Sequence, residues 1–261
     1  MSQRKSQKRK EVDFKRFIKK SFTFFFQGDW KSLGYYFVAE LCNMLNRNNI
    51  SLSSKKINCS ICNYSSSSFL SLSNSFGITW NSACPHCGSR SRHRGLIFLY
   101  ESIFKNLKGK KILHFAPELL LENKLRGYNQ HYYYTTDLNM NNVDFPRVDI
   151  QKLSFDNFSF DFVLSNHVLE HVKNDKQALS EVSRILCKGG SLILTVPGDW
   201  KRNYTKSFSH LDYNGHYRDY GLDINELLKE NFSKVIKLDL YNYSGEVHAI
   251  KKYEIVFICT K

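Results

Sequence analysis

The second half of the sequence alternates short apolar runs with amphipathic segments. Runs of strand length separated by segments of helical periodicity predict an α/β domain with a doubly wound, mostly parallel sheet. Such a sheet binds ligands at the carboxyl ends of its strands, here residues 114–118, 137, 149–150, 165–171 and 197–221. The predicted strands are Lys111–Ala116, His131–Thr136, Arg147–Ile150, Phe160–Ser165 and Ser191–Val196, followed by longer ones over Ser233–Tyr243 and Ala249–Thr260.

One helix is specified more sharply than the others. Asn174 is a suitable N-cap, and Gln177 occupies the capping-box position. The sequence Lys188-Gly189-Gly190 predicts its end, because a basic last turn followed by glycine is typical of helix C-termini. Its apolar face comprises Ala178, Leu179, Val182, Ile185 and Leu186, and further helices are predicted over residues 28–50, Gly95–Leu107, Leu119–Leu125 and Asp223–Glu230.

Four of the seven cysteines form two C-x2-C pairs, Cys59/Cys62 and Cys84/Cys87, with 21 residues between the pairs. Each two-residue gap lets one tight turn direct both thiolates at a metal, and two such turns make the tetrahedral set that zinc prefers. Residues 51–75 contain eleven serines, so apolar burial alone cannot fold this segment. We therefore expect a structural zinc ribbon with four cysteine ligands. A redox-active pair is the alternative, but it does not explain why there are two.

The positive charge is concentrated at the amino terminus. Residues 1–20 carry nine Lys or Arg and two acidic residues, a net of +7 within a formal total of +14. Such a block attracts nucleic acid or an anionic membrane surface, although a solvated tail is the simpler interpretation. No apolar run approaches the ~18 to 20 residues of a membrane-spanning helix. The start also lacks the apolar core of a secretory signal, so we predict a cytoplasmic protein with reduced cysteines.

These patterns divide the chain into three parts. Residues 1–50 hold the basic tail and an amphipathic helix, residues 51–107 hold the zinc ribbon and a connecting helix, and residues 108–261 hold the α/β domain. His86 and His93 lie near the second cysteine pair, and we expect them at the surface or behind the ligands rather than on the metal.

Three features of the α/β part carry a family resemblance. They are Asp137 after the second strand, VDIQKLSFDNFSFDFVLSNHVLEHV over residues 148–172, and SEVSRILCKGGSLILTVP over residues 180–197. These resemble class I S-adenosylmethionine-dependent methyltransferases, specifically the type 11 subgroup similar to quinone-biosynthesis methyltransferases. The stretches CPHCGSRSRHR, LHFAPE and HYRDYG resemble a branch of these enzymes that bears a zinc ribbon. The resemblance implies a Rossmann-like fold, an S-adenosylmethionine cofactor and methyl transfer.

The resemblance also implies which residues contact the cofactor. Asp137 is placed to accept hydrogen bonds from the ribose hydroxyls, as acidic residues do in nucleotide-binding sheets. Asp149 is placed to accept from the adenine amino group, and Ile150 offers an apolar surface to the ring. An ordinary strand-end carboxylate is the alternative for Asp149. The methionine end of the cofactor is expected beside Ser165, Asn166 and His167.

The first loop departs from the glycine-rich pattern of the family. It runs His114-Phe115-Ala116-Pro117-Glu118, with Ala116 and Glu118 at two glycine positions and His114 where an acid is usual. A carboxylate at Glu118 can pair with the ammonium or the sulfonium of the cofactor, so we expect all three residues at the cofactor site. The alternative is a loop that has lost cofactor binding.

The polar loop Ser209–Tyr220 follows the fifth strand, where an acceptor is expected. His216 is the first candidate for a catalytic base because histidine titrates near neutral pH, and His210 and His171 follow. The alternative is that these histidines only bond loop backbone. A metal site from His210, Asp212 and His216 is a further, less favoured interpretation.

We expect O-methylation of a small polar acceptor, with a sugar in a glycan as the example by analogy. Arg218 can clamp an anionic group of this acceptor, with Tyr217 beside it. One alternative is an RNA-modifying methyltransferase with a phosphate-binding surface that includes Arg90, Arg92 and Arg94. Against it, strand four ends Ser-Asn-His-Val and lacks the Asn/Asp-Pro-Pro-aromatic tetrad of amine methylation, so nucleic acid is not favoured. A non-catalytic binding module is the other alternative.

Overall fold

A computed structural model describes residues 18–47, 55–74, 77–105, 107–128, 132–212, 214–243 and 245–261. Residues 1–17 of the basic tail, the last three residues of the predicted 28–50 helix, His131 and Tyr213 lie outside the described residues. The chain forms two compact units. One comprises Met1–Ser91 and Glu246–Ala249, and the other comprises Arg92–Gly245 and Ile250–Lys261.

The first unit combines helices with short antiparallel strand pairs. Its main helix begins after Asp29, whose Oδ1 accepts a hydrogen bond from Ser32 N at 3.0 Å and so caps the helix. Buried Asn43 accepts from Ser71 N at 2.7 Å and donates to Ser71 O at 3.0 Å, which fixes the helix to the third strand. The elements are α1 (residues 18–26), α2 (Trp30–Arg47), β1 (Ile57–Asn58), β2 (Ser65–Ser66), β3 (Leu70–Asn74) and β4 (Gly77–Ala83), with β1 paired to β2 and β3 to β4.

The second unit is built on a seven-stranded sheet. Its strands are β5 (Lys111–Phe115), β6 (Tyr132–Asp137), β7 (Phe145–Pro146), β8 (Phe160–Asn166), β9 (Leu186–Thr195), β12 (Lys234–Asp239) and β13 (Ile255–Thr260), and a separate pair is formed by β10 (Lys206–Ser207) and β11 (Arg218–Asp219). The order across the sheet is β12-β13-β9-β8-β5-β6-β7. The five strands from β9 to β7 are parallel, and β13 is antiparallel to both β9 and β12. The predicted Rossmann-like, mostly parallel α/β fold is confirmed.

The remaining helices are α3 (Ser91–Phe104), α4 (Leu119–Arg126), α5 (Asp175–Ile185), α6 (Ile224–Lys229) and α7 (Gly245–His248). All but the first residue of α7 belongs to the first unit. Helix α3 begins before the predicted Gly95 and ends before the predicted Leu107. Among the described residues, no helix is both long and apolar enough to cross a membrane.

The central strands supply the core. Val163 and Leu164 of β8 and Ile193 of β9 have no exposed surface, as expected of strands covered on both faces. Asn174 accepts a hydrogen bond from Gln177 N at 3.1 Å, which confirms the predicted cap of α5. The predicted apolar face of α5 is buried in the same core through Ala178, Leu179, Val182 and Ile185.

The predicted end of α5 at Lys188–Gly190 is wrong. The helix stops at Ile185, and the following residues already belong to β9. Gly189 has a φ of +74°, and a Cβ on Gly190 would come within 2.8 Å of Asp161 O. Gly190 therefore allows β9 to approach β8, and Gly189 provides a positive φ within the strand, where helix-terminating glycines had been expected.

The third predicted strand and the last two also differ from the structure. Strand β7 ends at Pro146 and does not cover Arg147–Ile150, because Arg147 adopts a φ of +59° and leaves the extended region. Strand β12 ends at Asp239, whose carboxylate accepts a hydrogen bond from Tyr241 N and starts a 3-10 turn. Strand β13 begins only at Ile255 and not at Ala249.

Candidate active site

The carboxyl ends of the parallel strands border a cavity of about 370 Å³, which we call the rim cavity. Six residues predicted for the site line it: Ala116, Asp137, Asp149, Ile150, His167 and His171. The other lining residues are Phe115, Leu138, Asn139, Val148, Gln151, Val168 and Val172. The predicted position of a ligand site on this sheet thus coincides with a cavity that combines apolar walls with two carboxylates.

Asp137 ends β6 and organises the loop that follows it. Its Oδ1 accepts hydrogen bonds from Asn139 N and Met140 N, both at 2.6 Å. Within the described residues both bonds go to Oδ1, so Oδ2 is available to a ligand with two donors, such as the hydroxyls of a ribose.

Asp149 is held by its own loop. Its Oδ1 accepts from Gln151 N at 2.8 Å, and the Gln151 side-chain amide also donates to the carboxylate. The Oε1 of Gln151 in turn accepts from Asn174 N at 3.0 Å, so this loop is tied to the start of α5. Neighbouring Ile150 is 6% exposed and gives the cavity an apolar wall.

Ala116 carries the backbone conformation that the first loop requires. Its φ is +46°, in the left-handed region that glycine adopts without strain, and its N–H donates to Thr136 O at 2.9 Å. The loop therefore has alanine where glycine was expected, in a backbone conformation that favours glycine.

His114 and Asn166 lie in a buried network and not on the wall of the rim cavity. Asn166 Nδ2 is 3.2 Å from His114 Nε2, and His114 Nδ1 is 2.6 Å from the Tyr133 hydroxyl. Tyr100 and Asn166 exchange hydrogen bonds at 2.9 and 3.1 Å. Burial lowers the pKa of His114 to about 4, so its ring is neutral at physiological pH.

Glu118 is also engaged within the protein. Its Oε1 accepts from Arg92 Nε at 3.1 Å and lies 2.7 Å from His93 Nε2. Burial alone would raise its pKa, but hydrogen bonds and charge from His93 and Arg92 lower it to about 2. His93 was expected either at the surface or behind the metal ligands. Only 8% of the residue is exposed, so the surface position is wrong. Glu118 Oε2 is buried and has no hydrogen-bond partner among the described residues.

Ser165 is the penultimate residue of β8 and is paired with Phe115 of β5 in the parallel register. Its hydroxyl is buried and has no partner in the described part of the chain. His167 follows with a φ of +53°, lines the rim cavity, and places Nδ1 3.2 Å from Glu170 Oε1.

Two of the three predicted catalytic histidines meet at one side of the rim cavity. The rings of His171 and His216 are 4.7 Å apart, and Asp212 Oδ2 lies 3.3 Å from His216 Nδ1. His210 is exposed and its ring lies 3.3 Å from the Ser209 hydroxyl, so it does not join this pair.

The two predicted acceptor-binding residues serve the loop structure. Arg218 donates to the carbonyl oxygens of Val172 and Lys173, each at 2.8 Å, and lies 3.2 Å from Asp175. Tyr217 N donates to the backbone of Glu170 at 2.8 Å. These contacts occupy the Arg218 guanidinium, which was expected to clamp an acceptor.

The four predicted metal ligands converge in the first unit. The Sγ atoms of Cys59 and Cys87 are 3.7 Å apart, and those of Cys62 and Cys84 are 3.8 Å apart. In a tetrahedron with Zn–S bonds of about 2.3 Å the sulfurs are separated by about 3.8 Å, so the set fits zinc.

Both cysteine turns use the same backbone device. Asn63 N donates to Cys59 O at 2.8 Å with a φ of +59°, and Gly88 N donates to Cys84 O at 2.9 Å with a φ of +77°. Each turn thereby aims its two thiols to the same side, as the C-x2-C spacing predicted.

Residues 119–194 match the family model described as "Methyltransferase domain". The match spans less than a third of the chain. No curated protein matches the sequence. Its fold is shared by the 1,6-didemethyltoxoflavin-N1-methyltransferase of Burkholderia thailandensis, solved with 1,6-didemethyltoxoflavin and S-adenosylhomocysteine. That structure is 14% identical, with a TM-score of 0.50 over 66% of this chain and 78% of that chain.

Two further solved structures resemble part of this chain. Phospholethanolamine N-methyltransferase 2 of Haemonchus contortus is 16% identical, with a TM-score of 0.47 over 71% of this chain and 55% of that one. The YcgJ protein of Bacillus subtilis is 14% identical, with a TM-score of 0.39 over 56% of this chain and 70% of that one. The matched residues 119–194 lie in the part of the chain for which the methyltransferase resemblance was expected.

Proposed function

We propose that the rim cavity binds S-adenosylmethionine and that the enzyme methylates an oxygen of a small polar acceptor. The observation that carries the first half is the position of Asp137, at the end of β6 and on the cavity wall with Oδ2 available. Asp137 holds the ribose hydroxyls, and Asp149 and Ile150 hold the adenine. The unpartnered Ser165 hydroxyl, described above, and the positive φ of Ala116 suit the methionine end.

When bound, the cofactor supplies a methyl group already activated by its positive sulfur. The work left to the protein is to align the acceptor and to exclude water. The apolar lining of Val148, Val168 and Val172 favours exclusion of water. His171 and His216 stand where an acceptor hydroxyl would lose its proton, and Asp212 orients the His216 ring through Nδ1.

We propose that Cys59, Cys62, Cys84 and Cys87 hold a structural zinc ion. The sulfur separations support this, and four protein ligands leave no position for a reacting water. The ion would fold a segment whose serine content provides little apolar surface.

A phosphate-binding surface for RNA has less support. Arg94 is completely buried and Arg92 is paired with Glu118, so one of the three arginines proposed for that surface is inside the protein and the charge of a second is compensated. We therefore retain a sugar or another small polar acceptor as the substrate class, and the cytoplasm as the proposed location.

Transfer of labelled methyl from S-adenosylmethionine into a fractionated host extract tests the proposal. We expect label in a fraction of small polar compounds or glycans, and none with an Asp137→Ala variant. Label that appears in RNA and is removed by ribonuclease would contradict the proposed acceptor, whereas no label in any fraction would contradict methyl transfer.

A further inference from the structure

The described residues contain a second group of side chains that could bind a metal, apart from the four cysteines. This second group lies beside the rim cavity. Glu170, His171 and His216 each offer one ligand atom, and these atoms lie within 4.8 Å of one another. His171 also lines the rim cavity, so the group faces the expected acceptor position. It differs from the set of His210, Asp212 and His216 considered from sequence, since His210 is not part of it.

Each imidazole ring has an oxygen atom close to its Nδ1, through a hydrogen bond for His171 and an ion-pair contact for His216. His171 Nδ1 is 3.0 Å from Gly215 O, and His216 Nδ1 is 3.3 Å from Asp212 Oδ2. A carbonyl or carboxylate at Nδ1 holds the proton there and makes Nε2 the atom that can ligate a metal. This arrangement of outer partners is typical of histidines in metal sites.

Glu170 provides an independent indication. The side chain is 1% exposed, and its Oε1 is 3.2 Å from His167 Nδ1. Its Oε2 is buried and has no hydrogen-bond partner within the described ranges. A buried carboxylate oxygen without a partner is costly, and a cation bound to it would remove that cost.

We propose that Glu170, His171 and His216 bind a divalent transition-metal ion. Two imidazoles and one carboxylate on one side of an ion leave coordination positions open, and this set suits ions such as Mn²⁺, Fe²⁺ and Zn²⁺. An acceptor hydroxyl bound at an open position would release its proton to solvent water more readily, because the ion stabilises the alkoxide that remains. With the ion bound, His171 and His216 serve as ligands and not as the base. The proposal that an ion binds here depends only on the geometry of these residues. The proposal that the ion activates the acceptor rests on the proposed function.

Mn²⁺ is the probe that separates this site from the cysteines, because it prefers nitrogen and oxygen ligands over thiolates. Titration of the purified full-length chain with Mn²⁺, without cofactor, is followed by the loss of the electron paramagnetic resonance signal of free Mn²⁺. We expect the wild type to bind one ion, and His171→Ala and His216→Ala each to weaken binding more than about tenfold.

Two further variants sharpen the test. Asp212→Asn changes the outer partner of His216 and keeps one side-chain oxygen for the backbone N–H groups of Asn214 and His216. It should weaken Mn²⁺ binding about 10- to 100-fold. His210→Ala removes an exposed histidine of the same loop and should bind Mn²⁺ as the wild type does. The substituted residues His171 and His216 are exposed or half-buried, so these variants are expected to fold.

Binding of S-adenosylhomocysteine is measured in parallel to separate the two proposals. Mn²⁺ binding equal in wild type, His171→Ala and His216→Ala, or absent from the wild type, would overturn the cation site even if S-adenosylhomocysteine binds. Mn²⁺ binding that depends on these residues, in a chain that does not bind S-adenosylhomocysteine, supports the cation site and removes only the proposed function.

Discussion

Glu118 and Arg92 form an ion pair between the first loop and α3, with Arg92 Nε 3.1 Å from Glu118 Oε1. The carboxylate stands at a position where the family has glycine, and a neighbouring histidine, His93, shares the same oxygen. The loop is therefore stabilised by charge contacts with α3, in addition to its backbone hydrogen bonds.

The first prediction concerns acid stability. Contacts with His93 and Arg92 lower the pKa of Glu118 from 4.5 to about 2. The ionised carboxylate therefore contributes fully to the free energy of unfolding above pH 4.5, and this contribution is lost as the pH falls through about 2. Glu118→Gln should reduce the free energy of unfolding at pH 7 by about 3 kcal/mol at most, and flatten its decline below pH 4.5. Urea titrations between pH 7 and pH 2.5 measure this.

Glu226→Gln is the matched control, because Glu226 pairs with Lys229 in a largely solvated position. It should change stability by less than about 1 kcal/mol at either pH. A Glu118→Gln variant whose stability declines with acid as steeply as that of the wild type would contradict the assignment.

The second prediction concerns His114. Burial lowers its pKa from 6.5 to about 4, so the unfolded chain binds a proton in this interval and the folded chain does not. Stability should therefore decline as the pH falls from 6.5 to 4 and lose nothing further from this residue below 4. This decline amounts to about 3 kcal/mol at most, and His114→Gln should remove it. Chemical unfolding of both proteins at pH 7 and pH 4.5 measures the difference. An unchanged slope in this interval would show that the ring is protonated in the folded state.

Part of this site was predictable from sequence, because strand periodicity fixes where parallel strands end. Asp137, Asp149 and Ile150 line the rim cavity for that reason. The Glu118 pair was not predictable, since Arg92 is 26 residues away and meets Glu118 only through the tertiary position of α3.

The role of Glu170 shows the same limit at shorter range. The sequence HVLEH indicates that His167, Glu170 and His171 share one turn, and this was the available clue. Periodicity cannot show that Glu170 Oε2 is buried without a described partner, or that the turn meets the loop holding His216. The end of β12 was predicted too late in the sequence. The Asp239 carboxylate caps the following turn, and this hydrogen bond competes with continued pairing between strands.

The third prediction uses the strained position in the first loop. Ala116 has a φ of +46°, so Ala116→Gly should raise the free energy of unfolding by about 1 kcal/mol through relief of strain. Ala178→Gly in α5 should instead lower it by about 1 kcal/mol or more, because glycine is unfavourable in a helix interior. Thermal and urea unfolding of both variants gives the comparison. A destabilised Ala116→Gly variant would mean that the methyl group is needed for packing.

The fourth prediction concerns the cysteine cluster. By elemental analysis the purified wild type should contain one more zinc ion per chain than Cys84→Ser, and the variant should have a lower melting temperature. Cys42→Ser is the control, because Cys42 is a thiol on α2 outside the cluster and should retain full zinc. Zinc-free wild-type protein with an unchanged melting temperature would contradict a structural ion.

The central claim is that the rim cavity binds the methyl donor through Asp137, and calorimetry with S-adenosylhomocysteine tests it most directly. We predict saturable binding by the wild type, a loss of affinity of about tenfold or more in Asp137→Ala, and wild-type affinity in Asp156→Ala, whose side chain is exposed. No binding by the wild type, or equal affinity of the wild type and Asp137→Ala, would contradict the account.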